Sequence, residues 1–466
     1  MTLHGELSAS GLRNELAAGN VTPREAAEHY LAVIDRLNPE LGAFVTVTAE
    51  AALARADALL RAGIPRDAGT RPPLWGMPLA DKDLCARAGI PTGLGSRLGG
   101  QIPAVSDPLV RDLEAAGCVS LGKTNTPEYG LYGYTESAVA PPARHPEAPH
   151  LGSGGSSGGA ATAVASGMLP WAPGSDGGGS VRIPAAATGL VGIKPTRGLV
   201  PADAAAPPTH TGVVSGPLAH TVAGAALLLD GMRGDTRERY GAALRSAPGR
   251  LRIAATRSSA WDDAYEITLD PAAVAAYEDA LAALTALGHD IIQEEFTYPR
   301  LDYAHIFTTA WQRSAASLPV STPNEEARLE PVTRELMHRG RALSAAENAR
   351  NDADLATYGR SLREAAAPYD LVLTPALGQS PRPVGSHSAD PDTNFAQQVR
   401  YSPFTSAINV AGMPAITLPV GRYRVEFTER ALPMSVQLVG GFGRDALLLT
   451  AAAQLSEAVA WTPSAV

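Results

Sequence analysis

The sequence predicts an α/β protein built on a largely parallel or mixed sheet. From about residue 73, short apolar runs of strand length alternate with longer segments of helical periodicity. Hydrophobic residues make 45% of the 466, with 18% charged and 5% aromatic, a composition that buries a large core and excludes wholesale disorder. The 46 glycines and 38 prolines follow no three-residue period, so they read as ordered turns between elements rather than as collagen.

The N-terminal region before that alternation reads as helices. Residues 7–18, 22–37 and 50–62 carry apolar or Ala-rich helical spacing, and Thr22-Pro23-Arg24-Glu25 resembles a capping box with Pro at the first helical position. A helix near 107–116 and a strand near 119–122 follow. Further strands are expected at 251–255, 290–293, 371–374, 415–420 and 434–439, with helices at 271–287, 344–366 and 444–458 between them. Residues 202–208 and 378–392 read as surface loops. The length would accommodate three domains at roughly 150 residues each. No internal repeat or clear linker divides it, and one domain is expected over 1–466, with a helical segment at 1–65 and an α/β core at 66–466.

Composition narrows the function classes. The net charge is −9 and no block of Lys or Arg stands out, so no nucleic-acid partner is expected. Two cysteines, Cys85 and Cys118, permit neither a disulfide framework nor a Cys-rich zinc site, and a reducing cytoplasm fits. The opening MTLHGELSAS lacks a basic stretch followed by an apolar core, and no run of 18 apolar residues occurs. Neither a signal peptide nor membrane attachment is expected.

Four segments carry candidate chemistry. Gly117-Cys118-Val119-Ser120-Leu121-Gly122-Lys123-Thr124 matches the phosphate-loop pattern GxxxxGK[ST]. A phosphate loop needs strand before and helix after, whereas here the helix comes first and Asn125-Thr126-Pro127 blocks another. Residues 151–175 contain no charge and place Ser153, Ser156 and Ser157 among glycines, as a water-excluded site would. Within them, Gly154-Gly155-Ser156-Ser157-Gly158 fits the GxSxG elbow of serine hydrolases, which needs an acid and a later histidine. His210, His220, His289, His305, His338 and His387 are available, none in a convincing setting. In Ser175-Asp176-Gly177-Gly178-Gly179-Ser180-Val181-Arg182, three glycines before a serine let backbone amides converge on an oxyanion, and Asp176 and Arg182 are placed to pair across the turn. Lys82 ends the apolar run Leu74–Lys82, where burial would lower its pKa and make it a usable base.

Together these segments resemble the amidase signature family. PLWGMPLADKD is similar to the family's lysine strand, and GSGGSSGGAATAVASG with GSDGGGSVRIPAAATGLVGIKPTRG to its Gly/Ser signature. GKTNTPEYG, YDLVLTPALG, NVAGMPAITLPVG and LPMSVQLVG are also similar to family segments, so the likeness spans about residues 5–460. The SDGGGSVRIPA version resembles a subgroup that includes nylon-oligomer cyclic-dimer hydrolases.

The resemblance implies a mixed central β-sheet covered by helices on both faces, and an amide hydrolase using a Ser–cis-Ser–Lys triad without metal or organic cofactor. Carried over residue by residue, Ser180 is the nucleophile, Ser156 the bridging serine on a cis peptide and Lys82 the base. Gly177, Gly178 and Gly179, with the Ser180 amide, would form the oxyanion hole. Ser157, Asp176 and Arg182 would support them, and Gly130 and Leu131 would border a small amide substrate together with the helix around residues 303–311. The N-terminal helices are expected alongside the core or at a homodimer interface. Two departures stand out: Asp81 beside Lys82, where an anion would raise the lysine pKa unless strand alternation turns it away, and Arg144-His145-Pro146 where relatives commonly read R-N-P. An amidotransferase subunit similar to the A subunit of the glutamyl-tRNA amidotransferase, and a Ser/His esterase, are the competing readings.

Overall fold

The computed structural model describes residues 8–63, 72–201, 212–234, 238–293 and 295–462. Leu7, His210 and the expected loop at 202–208 lie outside these residues.

Eight strands form a mixed sheet in the order Asp290–Gln293, Arg252–Ala255, Leu371–Pro375, Ala431–Gly440, Ala415–Arg424, Val191–Lys194, Val214–Ala219, Trp171–Asp176. The first three run parallel and every later pair is antiparallel. Parallel neighbours need a crossover, and the helix Pro271–Ala286 supplies it between Arg252–Ala255 and Asp290–Gln293. The period of two along the strands sorts side chains between two cores. Ile253, Ala255, Leu371 and Leu373 join the core beneath Pro271–Ala286 and Asp445–Ala458. Their neighbours Ala254 and Val372 join the aromatic-rich core under Tyr303–Ala316, Pro331–Ala342 and Ala345–Ala366. The sheet is therefore mixed and covered by helices on both faces.

The lysine strand is not part of that sheet. Pro78–Lys82 pairs in parallel with Val119–Thr124, which pairs antiparallel with Phe44–Val47, making a separate three-stranded sheet. Phe44–Val47 falls inside the segment read as purely helical. Four residues are too few to carry a period, and only the pairing partner reveals the strand. Around it the helices Ala9–Ala18, Pro23–Leu41 and Ala49–Ala62 form as the spacing predicts. The capping box is present: Glu25 N donates to Thr22 Oγ1 (3.1 Å) and Thr22 N to Glu25 Oε2 (2.9 Å).

The phosphate-loop match is a coincidence of letters. The helix Pro108–Ala115 precedes Gly117, whose φ of 92° suits a helix-ending glycine, and Val119–Thr124 is the strand after it. Lys123 is buried, donating to Cys85 O at 2.6 Å and lying 3.4 Å from Asp83. The loop expected over 378–392 ends slightly early, where the helix Pro391–Tyr401 begins under an Asp390 cap. No helix among the described residues is long and apolar enough to cross a membrane.

Candidate active site

Lys82 is the last residue of its strand and is 1% exposed. Strand alternation separates it from Asp81, which turns to the other face and pairs with Arg87 (Oδ2 to Nε 2.6 Å) and Ser120 (3.1 Å). The concern raised by that departure is thereby resolved, since Asp81 spends its charge on Arg87. Burial lowers the Lys82 pKa to about 7, against a smaller opposing pull from Cys85 and Asp176.

Lys82 Nζ lies 2.7 Å from Ser156 Oγ, 3.0 Å from Ser157 Oγ and 3.1 Å from Ser175 Oγ. The Ser157 hydroxyl donates to Ser175 O (3.3 Å) and accepts from Ser175 N (3.3 Å). Its proton is committed, so Ser156, the nearest hydroxyl, is the best placed to give a proton to a neutral amine. Ser156 follows a cis Gly155–Ser156 peptide and precedes the helix Gly158–Ala165. Gly155 is required there, because a Cβ would stand 2.5 Å from the Tyr134 backbone. Ser157 N donates to Ser180 O (3.1 Å), tying the two Gly/Ser segments together. Ser153 is buried but structural, donating to Ala143 O (3.0 Å).

The second segment turns between Trp171–Asp176 and the helix Arg182–Thr188. Asp176 is the hub of the turn. Its carboxylate accepts from Gly179 N (2.8 Å), Val181 N (3.1 Å), Asn409 Nδ2 (2.8 Å) and, as a two-pronged pair, Arg182 Nε (3.0 Å) and Nη2 (2.9 Å). Burial alone would raise the Asp176 pKa, but Arg182, Asn409 and Lys194 outweigh it and hold the acid well below the carboxylate range. Arg182, equally buried, also reaches Gln437 Oε1 (2.7 Å), Asn409 Oδ1 (2.6 Å) and Thr405 O (3.0 Å). Removing one partner strands the other charge, so Arg182→Leu is expected to cost about 3–5 kcal/mol of stability. Urea unfolding measures this, and a loss under ~1 kcal/mol would contradict the hub.

One expected donor is spoken for. The Gly179 amide, expected in the oxyanion hole, donates to Asp176 Oδ1 (2.8 Å) and holds the turn closed. The amides of Gly177, Gly178 and Ser180 make no hydrogen bond among the described residues, and all three residues line the adjoining cavity. The Ser180 hydroxyl is likewise unbonded among the described residues.

The cavity has a volume of about 970 Å³, at the upper end for a small-molecule site. Gly130 and Leu131 line it, and so do Phe307 and Trp311 from the helix Tyr303–Ala316. Gly130 (φ 68°) leaves room where a Cβ would meet Leu84 at 2.7 Å and Ser156 Oγ at 3.4 Å. No histidine among the described residues lines the cavity. His289 bonds Gln454, His338 pairs with Glu326, His387 stacks on Tyr134 and His220 contacts Val164 O. Among the described residues no serine–histidine arrangement of an esterase stands there. His145, the other departure, is buried away from the cavity with its pKa lowered to about 4 by burial.

Sequence reasoning assigned no role to Ser175, Asn409, Gln437, Trp261 or Phe395. Asn409 and Gln437 sit in segments already recognised, NVAGMPAITLPVG and LPMSVQLVG, but their contact with Arg182 crosses the sheet and leaves no local signal. No group of three or more His, Cys, Asp or Glu among the described residues is arranged to hold a metal ion.

Comparison with known proteins decides the lineage. The family model described as Amidase matches residues 25–449. The chain belongs to the amidase family. This amidase is 35% identical over 455 residues to AmiB2 of Mycobacterium tuberculosis, covering 96% of this chain and 95% of the relative. It is 32% identical to an acylamidase of Rhodococcus erythropolis, covering 98% and 96% of the two chains. A solved structure of 6-aminohexanoate cyclic dimer hydrolase with its substrate superposes with a TM-score of 0.86 at 28% identity, covering 98% of both chains. The peptide amidase of Stenotrophomonas maltophilia superposes at 0.81 with 25% identity over 99% of each chain. The amidase is thus a hydrolase of carbon–nitrogen bonds using the Ser–cis-Ser–Lys chemistry of its family.

Proposed function

We propose that Ser180 is the nucleophile, Ser156 the proton relay and Lys82 the base in hydrolysis of a small-molecule amide. The observation that carries this reading is the 2.7 Å contact between a buried, near-neutral lysine and Ser156, beside an unbonded Ser180 at the cavity. Neutral Lys82 takes the Ser156 proton as Ser156 takes that of Ser180, and Ser180 Oγ attacks the amide carbon. The oxyanion is met by the amides of Gly177, Gly178 and Ser180. On collapse, the carbon–nitrogen bond breaks, Ser156 protonates the leaving nitrogen and regains a proton from Lys82. Water, deprotonated through the same relay, then cleaves the acyl-enzyme and returns Ser180. Ser157 and Ser175 hold the lysine; Asp176 and Arg182 hold the turn.

Because only the neutral amine accepts a proton, kcat/KM is expected to fall about tenfold per unit of pH below about 7. A flat acid limb, with chemistry rate-limiting, would remove the lysine base. Gly130→Ala is expected to lower kcat by ~10²-fold, by straining the backbone at φ 68° and pushing Leu84 aside next to Ser156 rather than by unfolding the chain; wild-type turnover in this variant would show that the glycine is dispensable. We further assign the chain to one working domain, since Phe44–Val47 is built into the lysine sheet, and to the cytoplasm, in keeping with two buried cysteines outside any disulfide. The direct test of the reaction is incubation of the isolated chain with simple amides. Release of acid without a partner supports the reading; glutamine hydrolysis that appears only with a partner chain would replace it with an amidotransferase.

A further inference from the structure

Ser406 opens the short helix Ser406–Ala411 and stands in the cavity wall. Its hydroxyl accepts from Trp261 Nε1 (3.2 Å) and from Tyr303 OH (2.8 Å). A serine hydroxyl has two acceptor sites and one proton to give. Trp261 fills one acceptor site and a single bond joins the two hydroxyls, so one of their two protons finds no acceptor among the described residues, and Ser406, unlike Tyr303, lines the cavity. A donor left so, 95% buried, is costly unless a ligand takes it.

The position of this donor is informative. A Cβ built on Gly178 would stand 3.8 Å from Ser406 Cβ and 3.2 Å from Phe307 Cζ, so both residues flank the turn that meets the oxyanion. Ser156, which delivers the proton to the leaving nitrogen, lies instead beside Gly130 and Leu84. The acyl side of the substrate therefore faces Phe307 and Ser406. That side is aromatic: Trp261 meets Phe307 and Phe395 edge-on, both at 5.6 Å, and Phe395 stacks on Trp311 at 4.9 Å. The cavity lining is also poor in charge. Among the described lining residues only Asp107 and Arg197 are ionic, and they are held by Ala86 N (2.7 Å) and by Val410 O (3.0 Å).

We propose that Ser406 determines substrate choice, its hydroxyl bonding an acceptor atom carried by an uncharged aromatic acyl group seated against Phe307 and Trp261. The substrates are then amides of aromatic acids with an acceptor in or on the ring. This rests on the assignment of Ser180 as nucleophile.

The test compares kcat/KM for benzamide with that for picolinamide, nicotinamide and isonicotinamide, which add one ring acceptor at almost constant shape. Acetamide and acetanilide complete the series. In the wild type at least one pyridine isomer is expected to exceed benzamide by about 3- to 10-fold, the worth of one hydrogen bond. That ratio falls toward one in Ser406→Ala. It falls also in Trp261→Phe, which keeps a ring but frees the hydroxyl to turn. Three results would overturn the proposal: no isomer exceeding benzamide, a preference that survives in Ser406→Ala, or acetamide or acetanilide surpassing every aromatic acid amide. Failure of the underlying reading looks different: no fluorophosphonate adduct on Ser180 and no turnover of any amide.

Discussion

Ser180→Ala is expected to abolish acyl-enzyme formation and to lower kcat by at least ~10⁴-fold while leaving the fold intact. The expectation is large because the reaction is covalent, and what survives loss of a nucleophile is the residual assistance of the oxyanion donors and binding. The fold is spared because the Ser180 hydroxyl makes no bond among the described residues, whereas the Ser180 carbonyl, which an alanine retains, is the group that Ser157 N bonds. Single-turnover mass spectrometry with a slow amide or ester checks it. An acyl adduct persisting in Ser180→Ala would move the nucleophile elsewhere. Ser156→Ala should differ in kind: it slows acylation severely yet leaves Ser180 as the residue acylated.

Lys82→Ala is expected to lower kcat/KM by ~10²–10⁴-fold, the usual worth of a general base. Lys82→Arg separates the possible causes. An arginine keeps a cation in the pocket but stays protonated throughout the accessible pH range. If Lys82 acts as a base, Arg fails as Ala does and the acid limb near pH 7 disappears in both. If the lysine acts only through its charge, Arg restores activity. The pH profile, rather than the loss itself, carries the assignment, because either substitution also disturbs Ser156, Ser157 and Ser175 around Nζ.

Much of this was legible because the site is built from local sequence. The charge-free serine segment, the three glycines before Ser180 and the lysine ending an apolar strand are each short, and each forms where its spacing predicts. The helices with caps or clear periodicity likewise form within a few residues of the expected bounds, as Pro271–Ala286 and Ala345–Ala366 show. What stayed hidden depends on distant pairing. The lysine strand belongs to its own small sheet because Val119–Thr124 and Phe44–Val47 claim it, and nothing within those residues says so. Gly179 looked equivalent to its neighbours, and only the Asp176 carboxylate beneath the turn separates an amide that holds the backbone from amides open to a ligand. The aromatic wall joins Trp261, Phe307 and Phe395 from three separate stretches of chain, so no motif announces it.

The central claim is that Ser180, activated through Ser156 by Lys82, forms the acyl-enzyme. Fluorophosphonate labelling followed by intact-mass analysis and peptide mapping tests it most directly, in wild type, Ser180→Ala and Lys82→Ala. The account predicts one adduct on Ser180, absent from Ser180→Ala and formed much more slowly in Lys82→Ala. An adduct on Ser156, formed at an undiminished rate without Lys82, would contradict it.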